Sequence, residues 1–178
     1  MNLYIRFLIL IIRQFFTRVN KAILEPTELN LRVWPNDIDF NLHMNNGRYL
    51  TIMDLGRFDF LAKKGLLKPV FKKKWQPVLN AAKIHFIKPL KPFARYQLKT
   101  EIIYWDNKWI YLNQSFIQNG NLMAVATVKA IFIHRGQKIA PNNIFDLLGI
   151  KEINSPQCPL ELENWIKSEN LSREKRNG

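Results

Sequence analysis

The stretch Asp37-Ile38-Asp39-Phe40-Asn41-Leu42-His43-Met44-Asn45-Asn46-Gly47-Arg48-Tyr49 opens as a polar run without a sustained period and moves into asparagines able to cap a helix. It predicts a loop that feeds a helix beginning near Asn46 or Gly47. Unpaired N–H groups and the positive dipole end at such a terminus attract negative charge, and they stabilise the charge that develops on a carbonyl under attack. A carboxylate a few residues upstream reaches the same carbonyl, as a nucleophile or as a general base on water. Each side chain also has a purely structural reading: Asp37 and Asp39 as turn or capping groups, Asn45 or Asn46 as an N-cap, His43 as a hydrogen-bonded histidine. Spacing alone leaves both sets of roles open.

Downstream, Tyr49, Met53, Gly56 and Phe60 recur at helical spacing, and Leu50, Ile52 and Leu61 widen the stripe, which predicts a largely buried helix over residues 46–64. Gly65 suits the left-handed position after it, and Lys63 and Lys64 complement the dipole of its last turn. Upstream, Leu29, Leu31 and Val33 alternate with polar residues in a strand over 29–34 that Pro35 ends. A further strand is expected over 83–87, broken by Pro89 and Pro92, followed by alternation through Tyr96, Leu98, Thr100, Ile102 and Tyr104. Strands over 109–118 and 122–133 complete the pattern. Asp106-Asn107 and Asn119-Gly120 are tight-hairpin chemistry between them. One long helix followed by an antiparallel meander is an α+β layout in which the sheet wraps around the helix. Residues 142–149 read as a short helix, and 155–178 as a polar tail, partly disordered.

The chain has 178 residues, the size of one domain with short extensions. Its single cysteine, Cys158, forms no intrachain disulfide and points to a reducing, cytoplasmic setting. The formal charge is +13, and residues 60–100 hold 11 basic residues and no acid. A solvated lysine-rich surface explains this; so does attraction of a membrane face or a phosphate-rich ligand. Nucleic acid fits least, since zinc-finger, RNP-like and basic-zipper patterns are missing. No Gly-x-Ser-x-Gly element and no His-Glu-x-x-His occurs, which argues against a serine hydrolase and a metallohydrolase.

Residues 3–16 are strongly apolar, but Arg6 and Arg13 interrupt them, so the run is too short to span a bilayer and lacks a signal-peptide cleavage site. Arg6, Arg13 and Thr17 share one helical face, while Phe7, Leu8, Ile11, Ile12 and Phe15 spread over the rest. That pattern fits a helix lying on an anionic membrane, aided by Arg18 and Lys21, and equally a helix packed on the protein itself or a partner subunit. On the membrane reading, removing residues 1–21 leaves a soluble domain.

The run from Asp37 to Tyr49 resembles the motif of hotdog-fold acyl-CoA thioesterases of the 4-hydroxybenzoyl-CoA thioesterase group, in its THEM-like branch: Asp-x-Asp, a Gly-His-x-Asn-Asn element, then Tyr. Asp54 and Arg57 match a helix acid and arginine of that family, and their i, i+3 spacing suits an ion pair. The resemblance implies an α+β hotdog fold over residues 26–150, with an N-terminal helix in 1–25 and a C-terminal tail in 151–178. It implies hydrolysis of an acyl-CoA, with Asp39 as catalytic carboxylate, the Asn46 N–H polarising the thioester carbonyl and His43 bracing the site. Asn45, Tyr49 and Asp37 would line the substrate, Asp37 with a structural role first. No cofactor or metal is implied, coenzyme A entering as part of the substrate. A homodimer or homotetramer joined edge to edge is implied, which also protects an open strand edge. Basic side chains in residues 63–99 would hold the nucleotide. One departure stands out: Leu42 occupies the position before the histidine where the family often has Gly, and its bulk is expected to narrow the acyl entrance. The rival class is a non-catalytic hotdog scaffold that binds acyl groups or membranes.

Overall fold

The computed structural model describes residues 3–14 and 16–177; Met1 and Phe15 lie outside them. The chain runs α1 (Leu3–Gln14), β1 (Thr27–Arg32), α2 (Asn46–Lys63), α3 (Leu67–Lys72), β2 (Gln76–Phe86), β3 (Arg95–Trp105), β4 (Ile110–Gln118), β5 (Asn121–His134), β6 (Gln137–Ile139), α4 (Pro141–Asp146) and α5 (Leu160–Asn177), with a short 3-10 turn at Pro35–Asp37. The strands form one antiparallel sheet in the order β1-β3-β4-β5-β2, with β6 also on β5. It curls around α2, as expected of the hotdog fold.

The helix meets the sheet closely because of one residue. A Cβ at Gly56 would stand 2.6 Å from the Leu98 side chain and 2.9 Å from the side chains of both Gln114 and Thr100, so no side chain fits there without displacing those three buried groups. Tyr49, Ile52, Met53, Leu55 and Phe60 bury themselves on either side, against Leu98, Phe116, Ala126 and Val128 of the strands. Gln114, also buried, donates to the Met53 carbonyl (3.0 Å) and Thr100 (3.1 Å) and accepts from Arg57 (2.7 Å). Arg57 pairs with Asp54, as its spacing predicts.

Several elements depart from the sequence reading. β2 begins seven residues before the expected start at residue 83. Its first half is exposed on both faces and carries a bulge between Leu79 and Ala81, so no alternation marks it. A bulge between Ile102 and Tyr104 in β3 breaks the expected alternation: Trp105 turns into the core in place of Tyr104. The Asn119-Gly120 turn has positive φ at both residues, 48° and 74°, the conformation that dipeptide favours. The expected C-terminal tail is instead the helix α5 from residue 160. It lies over the face of the sheet turned away from α2, where Leu162 is buried, Trp165 stacks on Tyr111, Glu161 pairs with Lys83, and Glu169 pairs with Lys129. Lys129, itself buried, also sits 4.8 Å over the Trp109 ring.

α1 docks in an unexpected orientation. It packs on the protein itself, and it does so with the face that carries Arg6: Arg6 and Leu10 are buried, while Tyr4 (80% exposed), Ile5, Leu8 and Ile12 face outward. Phe7 stacks edge-on against Phe58 of α2. Arg6 is therefore part of the interior and not a solvated charge, so removing residues 1–21 would also take away a buried partner of Asp37. Among the described residues no helix is long and apolar enough to cross a membrane.

Candidate active site

Asp37 and Asp39, two residues apart, point in different directions. The 3-10 turn after Pro35 carries Asp37 into the interior, where it is fully buried. Its carboxylate pairs with Arg6 of α1, accepts from Arg48 Nε and Nη2 at 3.1 and 3.0 Å, and accepts from the Trp34 N–H at 2.9 Å. Its carbonyl takes the Asn45 N–H at 2.8 Å. Asp37 thus ties α1, the loop and the start of α2 together, the structural role given to it first.

Asp39 sits half-buried on the next turn of chain. Its N–H donates to the His43 carbonyl (2.9 Å), its carbonyl accepts from the Leu42 N–H (3.1 Å), and its Oδ1 accepts from the Asn41 N–H (2.9 Å). With the Ile38–Met44 bridge and the Met44 N–H on the Leu90 carbonyl (2.9 Å), these bonds close residues 38–44 into a compact loop beside the β2–β3 connection. To close it, Leu42 adopts φ 56°. This left-handed conformation is strained for a branched side chain and free for glycine, which gives the family's glycine at that position its physical reason. Leu42 is 69% exposed and does not line the cavity, so it narrows no entrance.

α2 starts beside the loop. Asn45 is its N-cap, with Oδ1 accepting from the Gly47 N–H at 2.8 Å and its carbonyl accepting from the Arg48 N–H at 2.9 Å. The cap side chain is thereby committed, and Asn45 is not among the residues around the cavity. A cavity of about 240 Å³ is lined by Asp39, Asn41, His43, Met44, Asn46 and Tyr49 from the loop and helix, and by Phe86, Ile87, Lys88 and Pro89 from the end of β2. Asp39, His43, Asn46 and Tyr49 are therefore brought together, and Asp37 and Asn45 stand behind them.

Tyr49 is buried with its ring edge-on to Phe86 (5.1 Å) and Phe116 (4.8 Å). Burial pushes its phenol pKa up, and a hydrogen bond with the Leu90 backbone offsets part of that, so it remains a neutral wall of the site. Lys88 escaped motif reasoning because only the fold carries the end of β2 to the loop. Its signal was its place in the basic run. Of that run, Lys63 reaches Asp59 and the Glu28 carbonyl, Lys64 the Ala22 carbonyl, Lys83 Glu161, and Lys99 Glu101, and only Lys88 lines the cavity.

Residues 33–166 match the model of the thioesterase-like superfamily. The chain belongs to that superfamily. It is 34% identical over 144 residues to the protein THEM6 of Drosophila melanogaster, covering 78% of this chain and 71% of that one. Among solved structures it resembles a probable thioesterase from Bartonella henselae (23% identity, TM-score 0.60, 65% of this chain and 98% of that one). It also resembles a hypothetical protein from Staphylococcus aureus solved in complex with CoA (20%, TM-score 0.63, 78% and 94%). The THEM-like recognition and the hotdog fold both stand, and the superfamily makes the chain a thioester hydrolase.

Proposed function

We propose that this superfamily member hydrolyses an acyl-CoA to free acid and coenzyme A, with Asp39 as the carboxylate. The observation that carries the reading is the convergence, in one cavity, of Asp39, His43, Tyr49 and the first turn of α2 at Asn46. The helix start supplies N–H groups and a positive dipole end for the oxyanion, and Asn46, the residue after the cap, is the one that lines the cavity. Asp39 either attacks the thioester carbon to form a mixed anhydride, which water then opens, or removes a proton from an attacking water. At about 240 Å³ the cavity is below the usual range of small-molecule pockets, roughly 300–1,000 Å³, so it suits the thioester end of the substrate and not the whole of it. Phe40, Leu42, Leu50, Phe86 and Ile87 stand exposed near it, and pairing of β2 with a second copy would enclose the rest of the substrate between protomers. Lys88 on the rim, with Lys91 and Arg95 following in chain, would meet the anionic nucleotide. The outward apolar face of α1, with Arg13, Arg18 and Lys21 exposed close by, would rest on an anionic membrane.

The test is thiol release from a panel of acyl-CoAs. Asp39→Asn should lower kcat by about two to four orders of magnitude with an unchanged melting temperature, His43→Ala should cost less, and KM should rise with ionic strength. An active Asp39→Asn enzyme refutes the assignment, and absence of turnover with every substrate leaves the acyl-binding scaffold as the function.

A further inference from the structure

A second cavity, of about 210 Å³, lies under α1, away from the Asp39 site. It is lined by Arg6, Ile9, Leu10 and Arg13 of α1, by Leu29, Asn30, Leu31 and Arg32 of β1, and by Trp34 and Leu55. Half of the ten lining side chains are aliphatic, and three are arginines. Arg6 is the notable one. Its side chain is almost wholly buried, one terminal nitrogen is spent on Asp37, and Nε and Nη1 have no partner among the described residues. Buried donors without acceptors are costly, the more so when charged, and native interiors seldom leave them so. Arg32 adds a second anomaly: it stands directly across from Arg95 in the β1–β3 ladder, a like-charge pair that destabilises a sheet. Its guanidinium lies over the Trp34 ring, 5.9 Å from the ring centroid. Positive charge is thus concentrated at a pocket whose remaining surface asks for hydrocarbon.

We infer that this cavity is a binding site for an amphipathic monoanion, an aliphatic carboxylate whose head group takes the unpaired donors of Arg6 and the charge of Arg32 while its tail lies among Ile9, Leu10, Leu29, Leu31 and Leu55. An anion shared by two guanidinium groups is the standard complement to such a cluster. The volume, at about 30 Å³ for a water-sized group, holds about seven such groups, which sets the tail at the length of a short or medium chain. Ile9 is both part of the lining and partly exposed on the outer side of α1, which opens a route for the tail from the apolar surface of that helix. The site does not depend on Asp39 chemistry and would exist in a non-catalytic member of the fold.

Titration of the full-length protein with sodium octanoate, followed by amide and indole ¹H–¹⁵N spectra, tests this. Saturable shifts should concentrate at Ile9, Asn30, Leu31 and Trp34, and persist unchanged in Asp39→Asn. Octanol, with the tail but no charge, should bind at least tenfold more weakly, and so should octyl phosphate, whose head group carries up to two charges. Arg6→Lys, which keeps a cation for Asp37 but removes Nε and Nη1, should weaken octanoate at least tenfold. Since Arg6→Lys also touches a buried ion pair, Arg32→Gln on the more open wall provides the independent variant and should lower affinity several-fold in a protein of unchanged melting temperature. Shifts confined to the Asp39 cavity, equal binding of octanol, or an Arg32→Gln protein that binds as tightly as the parent would overturn the site. Tighter binding of octyl phosphate would replace the carboxylate by a phosphate head group and overturn the ligand assignment.

Discussion

Leu42 shows how a single residue can be read correctly as unusual and incorrectly as to why. In sequence it is a bulky residue at a position where the motif it resembles often has glycine. In the structure its side chain is in solvent and its backbone is at φ 56°. The left-handed region costs an L-residue about 1–2 kcal/mol, and glycine gives back part of the gain through the freedom of the unfolded chain. Leu42→Gly should therefore raise stability by about 0.5–1 kcal/mol, seen as a higher urea midpoint at constant m-value, with acyl-CoA turnover unchanged. The two aspartates make a similar point. Asp-x-Asp is visible in the sequence, but only the 3-10 turn decides that Asp37 goes inward to two arginines and Asp39 to the cavity. The partner of Asp37 on α1, 31 residues away, leaves no local trace.

Among the elements, those with a strong period or a strong stop were legible: α2, its glycine after the last turn, and the hairpin at Asn119-Gly120. β2 escaped in its first half because an edge strand exposed on both faces has no alternation to show. α5 escaped because its tie to the sheet rests on Leu162, Trp165 and two ion pairs, Glu161–Lys83 and Glu169–Lys129, and not on an apolar stripe. α1 was recognised as amphipathic, yet which face docks was not derivable, since an arginine is the buried anchor. Its outward surface, Tyr4, Ile5, Leu8, Ile9 and Ile12 with Phe16 beyond it, is the side that should meet lipid. Flotation with anionic liposomes at low salt should carry the protein to the top of the gradient, and Ile5→Glu with Leu8→Glu should leave it at the bottom with its fold intact, because neither side chain is buried. Recovery of the parent protein in the bottom fraction would assign the face to a protein partner instead.

For the molecule as a whole, the open edge at β2 is where pairing with a second copy is expected. Val78 and Leu79 are exposed there beside unpaired backbone, a configuration that isolated domains avoid. Equilibrium sedimentation should find a dimer, and Val78→Lys should shift it toward monomer and reduce turnover together; a monomeric parent with full activity would remove the shared site from the mechanism. Alkaline pH should act on the entire fold. Burial raises the phenol pKa values of Tyr49, Tyr96 and Tyr111 above their ordinary value of about 10. The unfolded chain therefore releases these protons first. The three phenols contribute fully below about pH 10, and their contribution is lost as pH rises through the folded-state values. Chemical denaturation measured from pH 8 to 11 should show a flat region and then a fall beginning near pH 10, and Tyr96→Phe should make that fall shallower.

α5 has a consequence for how large any assembly grows. Lying across β2, β5 and β4 on the side away from α2, it occupies ground on which a second pair of protomers would have to stack sheet against sheet. An edge-to-edge pair related by a twofold axis uses the β2 edge of both members at once and leaves none to offer. With the flat side roofed by α5 (Leu160–Asn177) and the β2 edge consumed, sheet-on-sheet growth of such a pair is expected to stop at two copies, which sedimentation of the protein would read directly.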